Sequence, residues 1–260
     1  MILEWTRATV LSLTEFEVSW ELLDLGETPW QLDPPRRGHT REERRRIVAD
    51  ALQALQRRGI GDDRGPHPQL ADRLRLLARP ESALDIRFRD RSLTAAVAAR
   101  SGHRCTLAVR HQDEIAVLDV PGDAAAEALV ELLGPVAPGD GVRTAVSADV
   151  LDAASAAAAD DPGSLGIELH RRGVPETDAR LVAHMCGGTD RLGQFGASRR
   201  SGDGRTRRAP FVVGLHRTPT GHYAHLRRRR PDGRDLITIE PLSHRGLLRH
   251  LDELGAAVPR

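Results

Sequence analysis

The order of elements in this chain predicts an α+β protein made of two quasi-symmetric halves built around antiparallel strands. Three observations predict it. A block of helices, a run of short alternating strands and one closing helix occur in that order twice, over residues 14–134 and again over 147–255. No crossover helix separates the strands within either run, which points to antiparallel pairing. Strands and helices do not alternate one by one, as they do in α/β enzymes. A chain of 260 residues can form one large domain or two small ones. The reading here is one domain over 1–260, with halves of 1–134 and 147–260 and a linker at 135–146. The halves share no residue-level identity, so the repeat is one of architecture.

The first helix opens on Thr14-Glu15-Phe16-Glu17, read as a capping box, and places Phe16, Trp20 and Leu23 on one face before Gly26 ends it. Pro29, Pro34, Pro35 and Gly38 make a rigid connector. A second capping box, Thr40-Arg41-Glu42-Glu43, opens a longer helix with Ile47, Ala51, Leu52 and Leu55 at helical spacing, closed by Gly59. A third helix over 69–78 carries Leu70, Leu74 and Leu77 and stops before Pro80. The period then switches to two. Leu84, Ile86 and Phe88 alternate with Asp85, Arg87 and Arg89, the pattern of a half-buried strand. Strands follow at 93–99, 105–110 and 115–120, joined by links short enough for a meander of hairpins. Asp123 is read as the cap of a closing helix with Leu129, Val130 and Leu133 inward.

Residues 134–141 are rich in Gly and Pro and read as the linker. Ser147 is read as the cap of a helix reaching Ala159, followed by a short helix over 165–171. Another begins at Val174-Pro175, holds Leu181, Val182 and Met185, and ends at Gly187-Gly188. The second strand run starts at Gln194. A basic hairpin loop covers 199–208, strands cover 210–217 and 222–228, and a last strand at 236–240 has Ile237 and Ile239 on one face. Ser243 caps a final helix with Leu247, Leu251 and Leu254.

Composition narrows the function classes. Formal charge is +1, from 38 basic and 37 acidic residues, which leaves no whole-chain footprint for nucleic acid or an anionic membrane. Every basic residue is Arg, and Lys and Asn are absent, the mark of a high-GC genome. Two cysteines, Cys105 and Cys186, give no disulfide framework and suit a reducing cytosol. The first residues lack a basic then apolar leader, so a cytoplasmic location is expected.

No motif carries catalysis, a metal or a cofactor. His184 and Cys186 stand two apart without further ligands, and zinc needs three or four that converge; they read as a helix-end histidine and a buried thiol. Ser101-Gly102-His103 is a hairpin turn and not a nucleophile elbow. Gly139-Asp140-Gly141 and Gly202-Asp203-Gly204 lack the strand-then-helix setting of a phosphate cradle. The arginines at 199–208 and 227–230 raise an alternative reading, a nucleic-acid-binding protein. Against it, a strand sends successive side chains to opposite faces, and Tyr223 is the only tyrosine available for stacking. Solvated charges that protect a sheet edge are the favoured reading. Leu181, Val182 and Met185 read as core, with a helix-receiving groove as the alternative.

Several landmarks, taken together and in order, go further. These are Leu13-Thr14-Glu15-Phe16-Glu17-Val18, Leu25-Gly26-Glu27-Thr28-Pro29, Gly38-His39-Thr40-Arg41-Glu42-Glu43-Arg44, Leu55-Gln56-Arg57-Arg58-Gly59 and Leu74-Arg75-Leu76-Leu77-Ala78-Arg79-Pro80. In the second half come Gly193-Gln194-Phe195-Gly196 with Arg199-Arg200, then Thr218-Pro219-Thr220-Gly221-His222-Tyr223. Their order and spacing resemble the EspG family, the ESX (type VII) secretion-associated proteins of actinobacteria. The resemblance implies a central antiparallel sheet flanked by two helical subdomains with pseudo-two-fold symmetry. It implies a non-enzymatic cytosolic chaperone without cofactors. Such a protein holds the apolar tip of a helical PE–PPE heterodimer, or of another helical type VII substrate, and delivers it for export. Partner contacts in the family fall on the central sheet, the second helical subdomain and the loop between the second and third strands. Carried onto this chain, those positions are Arg100, Ser101, Gly102, His103 and Arg104 in the loop and Leu181, Val182 and Met185 in the helix. Gln194 and Phe195 join them from the second signature, although Phe195 also reads as a plain core aromatic. Gly193 and Gly196 are expected to let the chain bend as it enters the sheet.

Overall fold

The structure is a computed structural model that describes residues 5–159 and 161–259. Residues 1–4, where the sequence was read for a leader, lie outside the described residues. The chain opens on β1 (Thr9–Ser12) and α1 (Leu13–Leu22), then α2 (Arg41–Arg57), a small hairpin of β2 (Gly61–Asp62) and β3 (Gly65–Pro66), and α3 (Pro68–Ala78). The first strand run is β4 (Ser82–Arg89), β5 (Leu93–Ser101), β6 (Arg104–His111) and β7 (Glu114–Pro121), closed by α4 (Ala125–Glu131). The second half opens on β8 (Thr144–Ser147) and α5 (Ala148–Ala157), then α6 (Leu165–Arg171) and α7 (Glu176–Cys186). Its strands are β9 (Arg191–Arg200), β10 (Thr206–Arg208), β11 (Val213–Thr218), β12 (Gly221–Arg229) and β13 (Asp235–Pro241), closed by α8 (His244–Ala256).

All strands except the β2–β3 hairpin join one 11-stranded sheet, in the order β1-β7-β6-β5-β4-β9-β11-β12-β13-β8, with β10 pairing on β9. Read outward from the β4–β9 seam, the two sides are the same: a four-stranded meander, then a short strand from the start of that half. Each short strand runs straight into a helix. The expected pseudo-two-fold is thus present, and its axis passes between β4 and β9, which pair antiparallel with Ile86 opposite Phe195.

One face of the sheet carries the larger core. Ile86, Phe88, Leu107, Phe195, Leu215 and Leu226 point to it, and α4 and α8 cover it with Leu129, Leu133, Leu247, Leu251 and Leu254. Burying each such side chain fully contributes about 1.5–3 kcal/mol. On the opposite face there are two separate cores. Helices α1–α3 cover Val97, Ala99, Ala108, Ile115 and Val117 of the first half. Helices α5–α7 cover Val146, Tyr223, Ile237 and Ile239 of the second. These are the two helical subdomains.

Local readings need correction at four points. The first capping box is Ser12 with Glu15, not Thr14 with Glu17: Ser12 Oγ accepts from the Glu15 amide at 3.1 Å, and Glu15 Oε2 accepts from the Ser12 amide at 2.8 Å. That frame wins because β1 holds Ser12 extended against β7. Asp123 lies in a 3-10 turn and makes no cap to α4. The Ser147 hydroxyl bonds Asp149 instead of the helix backbone, and α5 ends at Ala157. The edge strands β1 and β8 escaped the sequence reading because four residues show too little alternation. In the segment read as the linker, the Gly139 amide donates to the His222 carbonyl at 3.2 Å, and Pro138 bridges to β12.

Candidate partner-binding surface

The middle of the sheet, on the face that carries the helical subdomains, is uncovered between them. Register defines what lies there. Arg87 pairs with Gln194, Asp85 with Gly196 and Arg89 with Leu192 across the β4–β9 seam. Beyond β9, Gly214 stands opposite Gln194 and His216 opposite Leu192. Leu192 is 57% exposed, Gln194, next in phase on β9, is exposed too, and Val212, just before β11, is 40% exposed. Trp30, from the α1–α2 connector, is 45% exposed, and Leu93, at the start of β5, lies open on the same face. This is an apolar strip with a polar rim, the composition that suits a protein partner.

The two sides of this groove are unequal, and the connector is the cause. Leu32 and Gln31 of the α1–α2 connector are buried, and Arg110 donates to the Leu32 carbonyl at 2.8 Å and the Asp33 carbonyl at 2.6 Å. Trp30 is held between two guanidinium groups, those of Arg87 and Arg208, each 5.4 Å from its ring centre. The corresponding α5–α6 link is short and does not lie across the second-half side, where α7 and residues 138–141 cover His216 and Tyr223 and Leu192 and Gln194 stay exposed. A symmetric scaffold therefore presents an asymmetric surface.

Under Trp30 sits a buried charge. Asp85 belongs to the polar set of β4, which the alternation read as the solvent side, yet it is buried. Arg208 folds back over β9 and holds both Asp85 carboxylate oxygens, at 3.2 and 3.0 Å. Burial pushes the Asp85 pKa up, while the charge and hydrogen bonds of Arg208 and a bond from Gln31 pull against it. Further along, His216 Nε2 lies 2.8 Å from the Met185 carbonyl and so carries the donating hydrogen. His216 stacks on Tyr223 at 5.3 Å and lies 5.9 Å from His225. Burial lowers the pKa of His216, and it pushes His225 down to about 4, with His216 adding to the effect. Both rings are neutral near pH 7.

The residues carried over from the resemblance scatter. Gln194 alone lies on the open strip. Phe195, Val182 and Met185 are completely buried, Phe195 beneath α4 and α8 and the other two under the second subdomain. Leu181 is half-buried on that same core. The loop at 100–104 shrinks to a two-residue turn, Gly102-His103, because β5 and β6 pair as far as Ser101 opposite Arg104. The Gly102 φ of +56° suits that turn. Ser101 and Gly102 both donate to Glu81, at 2.9 and 3.1 Å, so the turn is tied to the end of β4. It does not border the strip of Leu192 and Gln194.

The glycines expected to bend the chain serve close packing instead. A methyl group on Gly193 would fall 2.6 Å from Phe88 Cβ, and one on Gly196 would fall 2.2 Å from Arg208 Nη2. Leu192 and Trp30 were missed in the sequence. The available signal was phase: Leu192 alternates with Gln194, Gly196 and Ser198, the polar and small set of β9, and is out of place there as a core residue.

The arginine clusters are partly neutralised. Arg227 pairs with Asp235 and Asp152, Arg228 with Glu253, Arg230 with Asp232 and Arg207 with Asp203. Both thiols are shielded: burial raises Cys105 to about 12 and Cys186 to about 11. Among the described residues, no group of three or more His, Cys, Asp or Glu side chains is placed to hold a metal ion. No helix there is long and apolar enough to cross a membrane.

Comparison with known proteins agrees with this architecture. No curated protein matches the sequence. Among solved structures, the chain is similar to that of the Mycobacterium tuberculosis type VII secretion system chaperone EspG5 in complex with a PE25–PPE41 dimer. The TM-score is 0.76 at 17% identity, over 97% of each chain. The family model described as EspG family matches residues 12–253, nearly the whole chain, and the chain belongs to the EspG family.

Proposed function

We propose that this protein is a binding protein and not an enzyme: a chaperone of type VII secretion that receives the apolar tip of a helical PE–PPE-like heterodimer on the open strip of its central sheet. The observation that carries the reading is the exposed Leu192, in phase with the exposed Gln194 on β9, on the side of the symmetric sheet away from α4 and α8. Family membership and the likeness to EspG5, which was seen with a PE25–PPE41 dimer, support it. The chemistry is compatible, since shielding one helical tip needs an apolar centre and a polar rim and no activated side chain. In this reading the partner lies between the subdomains and is met mainly by β9, β11 and the end of α7. The buried Val182 and Met185 act indirectly by holding α7 in place, and the 100–104 hairpin takes a lesser part.

Co-expression with PE–PPE pairs from the same genome tests the reading. A complex that co-elutes on gel filtration, and is lost in Leu192→Asp, is the expected result. Pairs that all remain soluble and unbound overturn it.

A further inference from the structure

The opposite face holds a second surface that the client reading does not use. At one end of the β4–β9 seam, Ser82 pairs with Arg100 on one side and Arg199 on the other. All three share the face of α4 and α8, since they alternate in phase with Ile86, Ala98 and Ala197. They border a cavity of about 190 Å³ between the strand ends and α8, floored by Leu84, Ala98, Ala197 and Leu251. Neither Arg100 nor Arg199 makes an ion pair among the described residues, unlike the arginines of 207–208 and 227–228. The sheet brings more charge to this end. The turns of β5–β6, β9–β10 and β12–β13 all emerge here, and Arg104, Arg200 and Arg205 on them also lack an acidic partner among the described residues. The nearby acids are Asp252 at the cavity, Glu81, which feels the charge of Arg100 and accepts from Ser101 and Gly102, and Asp203 and Asp232 on the turns, which pair with Arg207 and Arg230.

We infer that this end of the sheet is a docking site for an acidic protein segment, with one aliphatic side chain in the cavity and a flanking carboxylate between Arg100 and Arg199. Guanidinium groups favour carboxylates through paired N–H donors, and the Ser82 hydroxyl between them adds another. The apolar floor of the cavity takes an aliphatic side chain. A single-stranded nucleic acid would find no aromatic platform at the turns. A membrane would find no apolar wedge, because the turns are Gly102-His103, Gly202-Asp203-Gly204 and Asp232-Gly233. The site goes beyond the client reading and does not rest on it. It faces away from Leu192, so both surfaces can be filled at once.

Fluorescence anisotropy with the full chain tests the inference. The probe is a dye-labelled peptide alternating Glu and Leu, compared with Gln/Leu and Glu/Ser versions and with an oligonucleotide of equal charge. The Glu/Leu peptide is expected to bind at least about tenfold more tightly than either control peptide and more tightly than the oligonucleotide. Its affinity should fall with salt. The Arg100→Glu/Arg199→Glu double variant should weaken it by about tenfold or more, and Arg100→Ser/Arg199→Ser serves if the first does not fold. Leu192→Asp should leave peptide binding unchanged, which separates this site from the client groove. No binding up to about 1 mM, equal binding of the control peptides, tighter binding of the oligonucleotide, or an unchanged double variant overturns the inference.

Discussion

Arg208 reaches across the bare backbone of Gly196 to hold Asp85, with Nη2 3.0 Å from Oδ2. The pair locks β10 onto the sheet centre and, through Trp30, the α1–α2 connector above it. Removing Arg208 leaves a buried carboxylate without its cation. Arg208→Ala should therefore cost about 1–2 kcal/mol, less than a fully buried pair because its side chain is 41% exposed. Asp85→Asn should cost less than Arg208→Ala, since it removes the buried charge itself. Urea unfolding of the two variants gives the ranking, and the reverse order would contradict this account.

Acid should weaken the fold through the histidines of the open face. His225 falls to about 4 in the folded state, against 6.5 as its ordinary value. The unfolded chain thus binds the proton first, and stability declines as pH drops from about 6.5 toward 4. The slope is roughly 1.4 kcal/mol per pH unit for such a group. Urea midpoints at about pH 7, about pH 5.5 and about pH 4.5 should fall in step. His225→Gln should flatten the trend; an unchanged slope would refute the assignment.

The corrected capping frame is directly testable. Ser12→Ala should destabilise by about 1 kcal/mol, whereas Thr14→Ala should be close to neutral. Thermal melts that rank the two the other way would restore the Thr14 frame.

Binding and folding should separate along β9. Leu192→Asp should abolish client binding and leave the melting temperature nearly unchanged. Phe195→Ala should cost about 3–5 kcal/mol by opening a cavity beneath α4 and α8. Calorimetric titration alongside a melt distinguishes them, and loss of stability in Leu192→Asp would place that residue in the core.

Native thiols should be inert. With Cys105 at about 12 and Cys186 at about 11, neither holds appreciable thiolate near pH 8. Alkylation followed by intact mass should show labelling only after denaturation.

The sequence by itself determined the elements whose signals are local. The Thr40–Glu43 box, the apolar spacing of α3 and α8 and the alternation of β4 are each complete within a dozen residues. The ordered residue landmarks carried the resemblance to the family to which the chain belongs. Tertiary structure decided which residues are surface. Asp85 and Leu192 both stand in the polar phase of their strands; Leu192 is exposed as that phase implies, whereas Asp85 is buried. The fate of Asp85 depends on Arg208, on Gly196 and on a connector about fifty residues earlier in the chain. Burial is a property of what another segment covers, and no local period encodes it. For the same reason the symmetry was legible while the asymmetry of the groove was not: one connector lies across the sheet and its counterpart is too short to do so.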